Sequence, residues 1–95
     1  MSEAYVVGQI SVLDSVKWAA YTSQVPETLS PWGAELVFRG KQAAVMAGEC
    51  AHPNIVVIRF PTLAAAQSWF ASDAYQALIA LRQQAADVRL ISYST

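Results

Sequence analysis

The stretch Ile55-Val56-Val57-Ile58-Arg59-Phe60 lies between Pro53 and Pro61 and constrains the fold more than any other part of the chain. Six residues of high β-propensity, stopped at each end by a residue that cannot continue a ladder, read as a strand. Successive side chains of a strand point to opposite faces, so Val56, Ile58 and Phe60 share one face and Val57 and Arg59 the other. Both faces carry apolar residues. A sheet containing this strand therefore needs cover on one side and a partner on at least part of the other.

Other segments supply that sheet and its cover. Residues 4–12, AYVVGQISV, alternate as a strand, with Val6, Ile10 and Val12 set against Tyr5, Val7 and Gln9. Asp14 and Ser15 then offer side-chain oxygens to cap a helix. Trp18, Tyr21, Val25, Leu29 and Trp32 recur along it at three- and four-residue steps, forming one apolar stripe. Pro26 should kink or restart this helix, and Pro31 with Gly33 ends it. AELVFR (34–39) reads as a strand, the partner of 55–60, and the turn at Gly40-Lys41 leads into a second extended stretch, AAVMAGE (43–49). Thr62 caps a second helix bearing Leu63, Ala66, Trp69 and Phe70. Ser72 and Asp73 recap it for a further segment bearing Tyr75, Leu78, Ile79 and Arg82. VRLISYS (88–94) closes the chain as a strand.

The order is β-α-β-β-β-α-β within a single domain spanning residues 1–95, an α+β ferredoxin-like split β-α-β plan with one added hairpin strand. Its antiparallel sheet would carry both helices on one face. Val6, Ile10, Val12, Leu36, Phe38, Val56, Ile58 and Phe60 are assigned to that covered face. Tyr5, Val7, Gln9, Val37, Arg39, Val57 and Arg59 fall on the other, with either Ile91 and Tyr93 or Leu90. That second face is too apolar to leave in water and too polar for a core. The chain is also 55% hydrophobic and only 14% charged, apolar for a domain with so much surface to cover. A homodimer paired through this face satisfies both observations.

Charge and motifs exclude several functions. The net charge is −1, and the six basic residues are scattered rather than gathered along one tract, which argues against nucleic acid. No apolar run reaches the roughly 20 residues of a membrane helix, and MSEAYVVGQI lacks a secretory leader's basic and apolar regions. A soluble cytoplasmic protein is expected. Cys50-x-His52 lacks the second ligand pair of a zinc site, and no phosphate-cradling glycine loop is present, so neither metal nor cofactor is expected. Cys50, the single cysteine, reads as a small buried hydrophobe rather than a nucleophile.

Two groups of side chains could carry function. Glu49 and His52 stand where a strand ends in a proline-containing loop and could exchange a proton at the mouth of a pocket, or be ordinary loop residues. Tyr21, Trp69 and Tyr75 could wall a site between sheet and helices, with Arg39 or Arg82 as an anion contact. Arg82 lies on the packed side of its helix, so its guanidinium must find an anion or reach solvent. Glu49 and a ligand carboxylate are the alternatives.

The motif Trp69-x-x-Ser72-x-x-Tyr75 followed by Arg82 resembles the bacterial family of domain of unknown function 1330, within the dimeric α+β barrel superfamily. Asp14, Tyr21, Gly33, Arg39-Gly40, Gly48-Glu49, Arg59-Phe60-Pro61 and Ala66 extend the resemblance over nearly the whole chain. The sequence departs from the family's usual pattern at Ala34, where a second glycine is common, and in the Cys50–His52 loop. The resemblance implies a ferredoxin-like fold that dimerises by sheet packing, and it adds Ser72 to the candidate ligand contacts. It implies no established activity, although looser relatives include cofactor-free monooxygenases and small-molecule lyases or isomerases. Two readings follow: a dimer that binds a small, partly apolar or anionic metabolite, and a cofactor-independent enzyme using Glu49 or His52. A purely structural module is a third.

Overall fold

The computed structural model describes residues 3–95. Strand β1 (Ala4–Val12) is followed by helix α1 (Ser15–Leu29), a 3-10 turn (Ser30–Trp32) and strands β2 (Glu35–Lys41) and β3 (Asn54–Phe60). Helices α2 (Leu63–Ala71), α3 (Asp73–Gln76) and α4 (Ile79–Ala85) then lead into β4 (Ala86–Ser94). The four strands form one antiparallel sheet in the order β2-β3-β1-β4, the ferredoxin-like plan.

The helix boundaries follow from capping chemistry. Asp14 Oδ1 accepts from the backbone N–H groups of Val16 and Lys17 at 3.1 and 3.0 Å, satisfying donors that α1 cannot pair internally. Thr62 Oγ1 does the same for Ala65 at 3.0 Å. Ser72 caps α3 through Tyr75 N–H at 3.3 Å, so the second helical region turns where the sequence predicts. Helix α1 runs on through Pro26 without a restart, and the 3-10 turn after it ends on Gly33, whose φ of 68° suits a residue without Cβ.

The added hairpin strand is absent. Residues 42–53 form an irregular loop, because β2 ends opposite the first residue of β3 and leaves 43–49 no strand to pair with. Gln42 N–H donates to Pro53 O at 2.6 Å and closes the loop's neck. Cys50 lies exposed in this loop rather than buried, since no layer covers it.

A second correction concerns β2. Leu36 pairs with Ile58, yet Phe38 pairs with Val57, so the register slips by one residue at Val37. Such a bulge places two residues opposite one and reverses the facing of everything beyond it. Phe38 therefore shares the open face with Val57, and Arg39 shares the helix-covered face with Val56, the reverse of simple alternation.

The core lies between the sheet and the helices. Trp69, Tyr75 and Phe60 are its largest fully buried side chains, packed with Val6, Ile58, Tyr21 and Leu29. On the other face the strand pairings align Val7 with Val57 and Ile91, and Tyr5 with Arg59 and Tyr93. Leu90 faces the helices, opposite Gly8. Phe38 and Ile91 are 49% and 40% exposed, so an apolar strip on the open face meets water in the single chain. Arg59 at one end of this strip is ion-paired with Glu35 and, at 3.5 Å, with Glu3. The shortest dimension, 16 Å, is that of one sheet and one helical layer. Among the described residues no helix is long and apolar enough to cross a membrane.

Candidate functional site

A cavity of about 510 Å³ opens between α1 and the helix side of the sheet. Its origin is geometric. Helix α1 leans chiefly on α4, and the space over β2 and β3 is left unfilled. Gly8 lies in its floor, where a Cβ would come within 2.7 Å of Val56 Cγ1. Val25 and Leu29 of α1, Val56 and Ile58 of β3 and the Trp69 indole supply apolar walls. The volume falls in the range typical of small-molecule sites.

Among the described residues, Arg39 is the one charged residue lining this largely apolar space, brought to it by the bulge at Val37. The guanidinium is exposed at the rim, and among the described residues no carboxylate pairs with it. A guanidinium held at the edge of an apolar cavity suits a carboxylate or a similar planar anion.

The back of the cavity is held by hydrogen-bonded aromatics. Trp69 Nε1–H donates to Thr28 Oγ1 at 3.0 Å, and Thr28 Oγ–H donates to Val25 O at 2.6 Å. Trp18 stacks on Tyr21 with ring centroids 5.1 Å apart. The Tyr21 and Tyr75 hydroxyls are 2.8 Å apart, and Arg82 Nη1–H donates to the Tyr75 hydroxyl at 2.8 Å. Ser72 Oγ–H donates to Trp69 O at 2.6 Å while capping α3. The Trp-x-x-Ser-x-x-Tyr spacing thus aims Trp69 and Tyr75 into one core through a serine corner.

The candidate residues divide accordingly. Tyr21, Arg39 and Trp69 line the cavity, while Ser72, Tyr75 and Arg82 stand behind its wall. Arg82 is half-buried, and its protein partner is a phenol rather than Glu49. Glu49 is exposed in the 42–53 loop. His52 is buried, its Nε2 lies 3.3 Å from Asp87 Oδ2, and Ser11 Oγ–H donates to the neighbouring Ala51 O at 3.3 Å. Neither Glu49 nor His52 lines the cavity, and no bond joins them among the described residues. Three contributors escaped the sequence reading: Gly8, whose missing side chain leaves floor space; Thr28, a polar residue beside the apolar stripe; and Asp87, the partner of His52. Of these, Thr28 carried a signal, because it stands three residues after Val25 on the packed side of α1.

Burial pushes the ionisation of Tyr21 far above that of a free phenol, against an opposing pull from Arg82. The folded chain therefore holds this proton at pH values where the unfolded chain, ionising near 10.0, has released it. Stability from Tyr21 is complete below pH 10 and falls above it by about 1.4 kcal/mol per pH unit. Urea unfolding of the native chain and of Tyr21→Phe at successive pH values should show their stability difference shifting against the native chain by that slope. A difference constant across alkaline pH would contradict the assignment.

Known proteins share this architecture. A protein of unknown function from Rhodopseudomonas palustris, RPA0582, superposes with a TM-score of 0.81 at 17% identity, over 97% of this chain and 81% of that one. A dimeric ferredoxin-like protein of unknown function from Thermobifida fusca gives 0.67 at 10% identity, over 99% and 92%. SnoaB, a cofactor-independent oxygenase from Streptomyces nogalater, gives 0.68 at 8% identity, over 98% and 92%. These likenesses establish the fold. No curated protein matches the chain. The model of the domain of unknown function DUF1330 matches residues 3–94, so the chain belongs to the DUF1330 family.

Proposed function

We propose that this protein works in the cytoplasm as a homodimer paired through its open sheet faces, and that each protomer binds a small, largely apolar anion in the helix-side cavity. One observation carries the binding reading: the β-bulge turns Arg39, with no carboxylate partner among the described residues, onto the rim of a largely apolar space. Water can be displaced from such walls by an aromatic or aliphatic body, while the guanidinium holds the charged end in a bidentate pair. The strip of Val7, Val57, Ile91 and Phe38 supports the dimer, as does the description of the Thermobifida fusca neighbour as dimeric.

Titration calorimetry with naphthalene-2-carboxylate tests the binding reading. Arg39→Met should weaken binding by about 10- to 100-fold, the equivalent of one charge-assisted hydrogen-bonded pair. Folding stability should change by no more than about 0.5 kcal/mol, because the side chain is exposed. Equal affinity in the native chain and Arg39→Met, or heatless mixing with an unchanged melting temperature in the native chain, would contradict it.

A further inference from the structure

The hydrogen-bond chain behind the cavity has a direction. A guanidinium carries donors and no acceptor, so the 2.8 Å contact between Arg82 Nη1 and the Tyr75 hydroxyl can run only from Arg82 to Tyr75. Tyr75 is fully buried, and its own hydroxyl proton must meet an acceptor within the protein. The acceptor at hand is the Tyr21 oxygen, 2.8 Å away. One proton occupies that contact. The Tyr21 proton is thereby left free of Tyr75, on a residue that lines the cavity.

Among the described residues, the Tyr21 hydroxyl has no hydrogen-bond acceptor within reach besides Tyr75. Trp18 stacks on the Tyr21 ring and offers it no acceptor atom. The positive charge on Arg82 polarises the chain in the direction that strengthens donation by Tyr21.

We propose that Arg82, acting through Tyr75, sets Tyr21 as a hydrogen-bond donor into the cavity, and that the site therefore selects anions whose apolar body carries a neutral oxygen acceptor such as a ketone. This rests on the cavity being the binding site and specifies its substrate class: a carboxylate end at Arg39 and a carbonyl oxygen at Tyr21. Tyr21 is the contacting residue. Tyr75 and Arg82 are positioning residues, out of the cavity lining and effective through the orientation of one proton.

Two probes of similar shape test it: 6-acetylnaphthalene-2-carboxylate and 6-ethylnaphthalene-2-carboxylate, with affinities from calorimetry and the carbonyl band of the ¹³C-labelled acetyl group from infrared difference spectra. The native chain should prefer the acetyl probe by roughly 10-fold, with the carbonyl band at lower frequency than for the probe in an apolar solvent. Tyr21→Phe should prefer the ethyl probe, since a buried carbonyl without a donor is penalised, and the band should move up. Arg82→Met should lose part of the preference and part of the band shift, and Arg82→Lys should recover some of each; a purely structural role for Arg82 would move neither. Tyr75→Phe should behave as Arg82→Met, and if it fails to fold, the two Arg82 variants carry the same comparison. Both probes binding equally to the native chain would overturn the selectivity while leaving the cavity as a binding site. Neither probe binding would overturn the cavity reading and this inference with it. Full preference and an unmoved band in Arg82→Met would overturn the role of the chain behind Tyr21.

Discussion

Val57→Asp is expected to convert the proposed dimer to a monomer, weakening self-association by at least about 100-fold, while leaving the fold intact. Val57 stands mid-sheet on the open face, opposite Val7 on one side and Phe38 on the other, with Ile91 beyond Val7. An interface with two-fold symmetry carries any substitution twice, so one aspartate per chain brings two carboxylates to the same apolar strip. An uncompensated carboxylate in a dehydrated interface costs several kcal/mol, and each 1.4 kcal/mol is a factor of ten in the dissociation constant. Val57 points away from Trp69, Tyr75 and Phe60, so the core has no reason to respond. Sedimentation equilibrium at several concentrations, with the far-ultraviolet circular dichroism as a control, reads both effects. Unchanged association in Val57→Asp would place the dimer contact elsewhere.

Trp69→Ala should remove about 3–5 kcal/mol of stability, a large part of what a small domain has. The indole is buried against the rings of Phe60 and Tyr75, with centroids 5.5 and 4.3 Å away, and its N–H is bonded to Thr28. Truncation removes the burial, leaves a void, and merges that void with the cavity between α1 and the sheet. For a domain of this length the melting temperature should fall on the order of 20 °C. Trp69→Phe keeps most of the apolar surface and loses the bond to Thr28, so it should cost about 1–2 kcal/mol. Urea unfolding of both variants measures the two contributions, and a loss below 1 kcal/mol in Trp69→Ala would contradict the packing described.

Much of this architecture was legible in the residues because it rests on local chemistry. Asp14, Thr62 and Ser72 accept from N–H groups two or three positions ahead, and such caps are visible in any sequence that carries them. Helical spacing marked Tyr21, Val25 and Leu29 as one buried stripe. The bulge was not legible, since it belongs to the pairing of β2 with β3 rather than to Leu36-Val37-Phe38, and period-two reading sent Phe38 and Arg39 to the wrong faces. AAVMAGE has the composition of a strand and no ladder to join, so tertiary context overrode propensity. Polar pairs that form only in three dimensions are distant in sequence: Tyr21 and Tyr75 are 54 positions apart, and His52 and Asp87 are 35. Arg82 had to find an anion or reach solvent; it does reach solvent in part, and one of its N–H groups donates to the buried Tyr75 phenol.

The two faces of the sheet carry two separate roles in this account, and methyl resonances report on each. Titration of 6-acetylnaphthalene-2-carboxylate into protein labelled with ¹³C at valine, leucine and isoleucine methyls should shift Val25, Leu29 and Val56, which line the cavity, in a saturable manner. Val7, Val57 and Ile91, on the open face, should stay in place. Shifts confined to Val7, Val57 and Ile91, or no saturable shift at any methyl, would contradict a ligand site between helix and sheet.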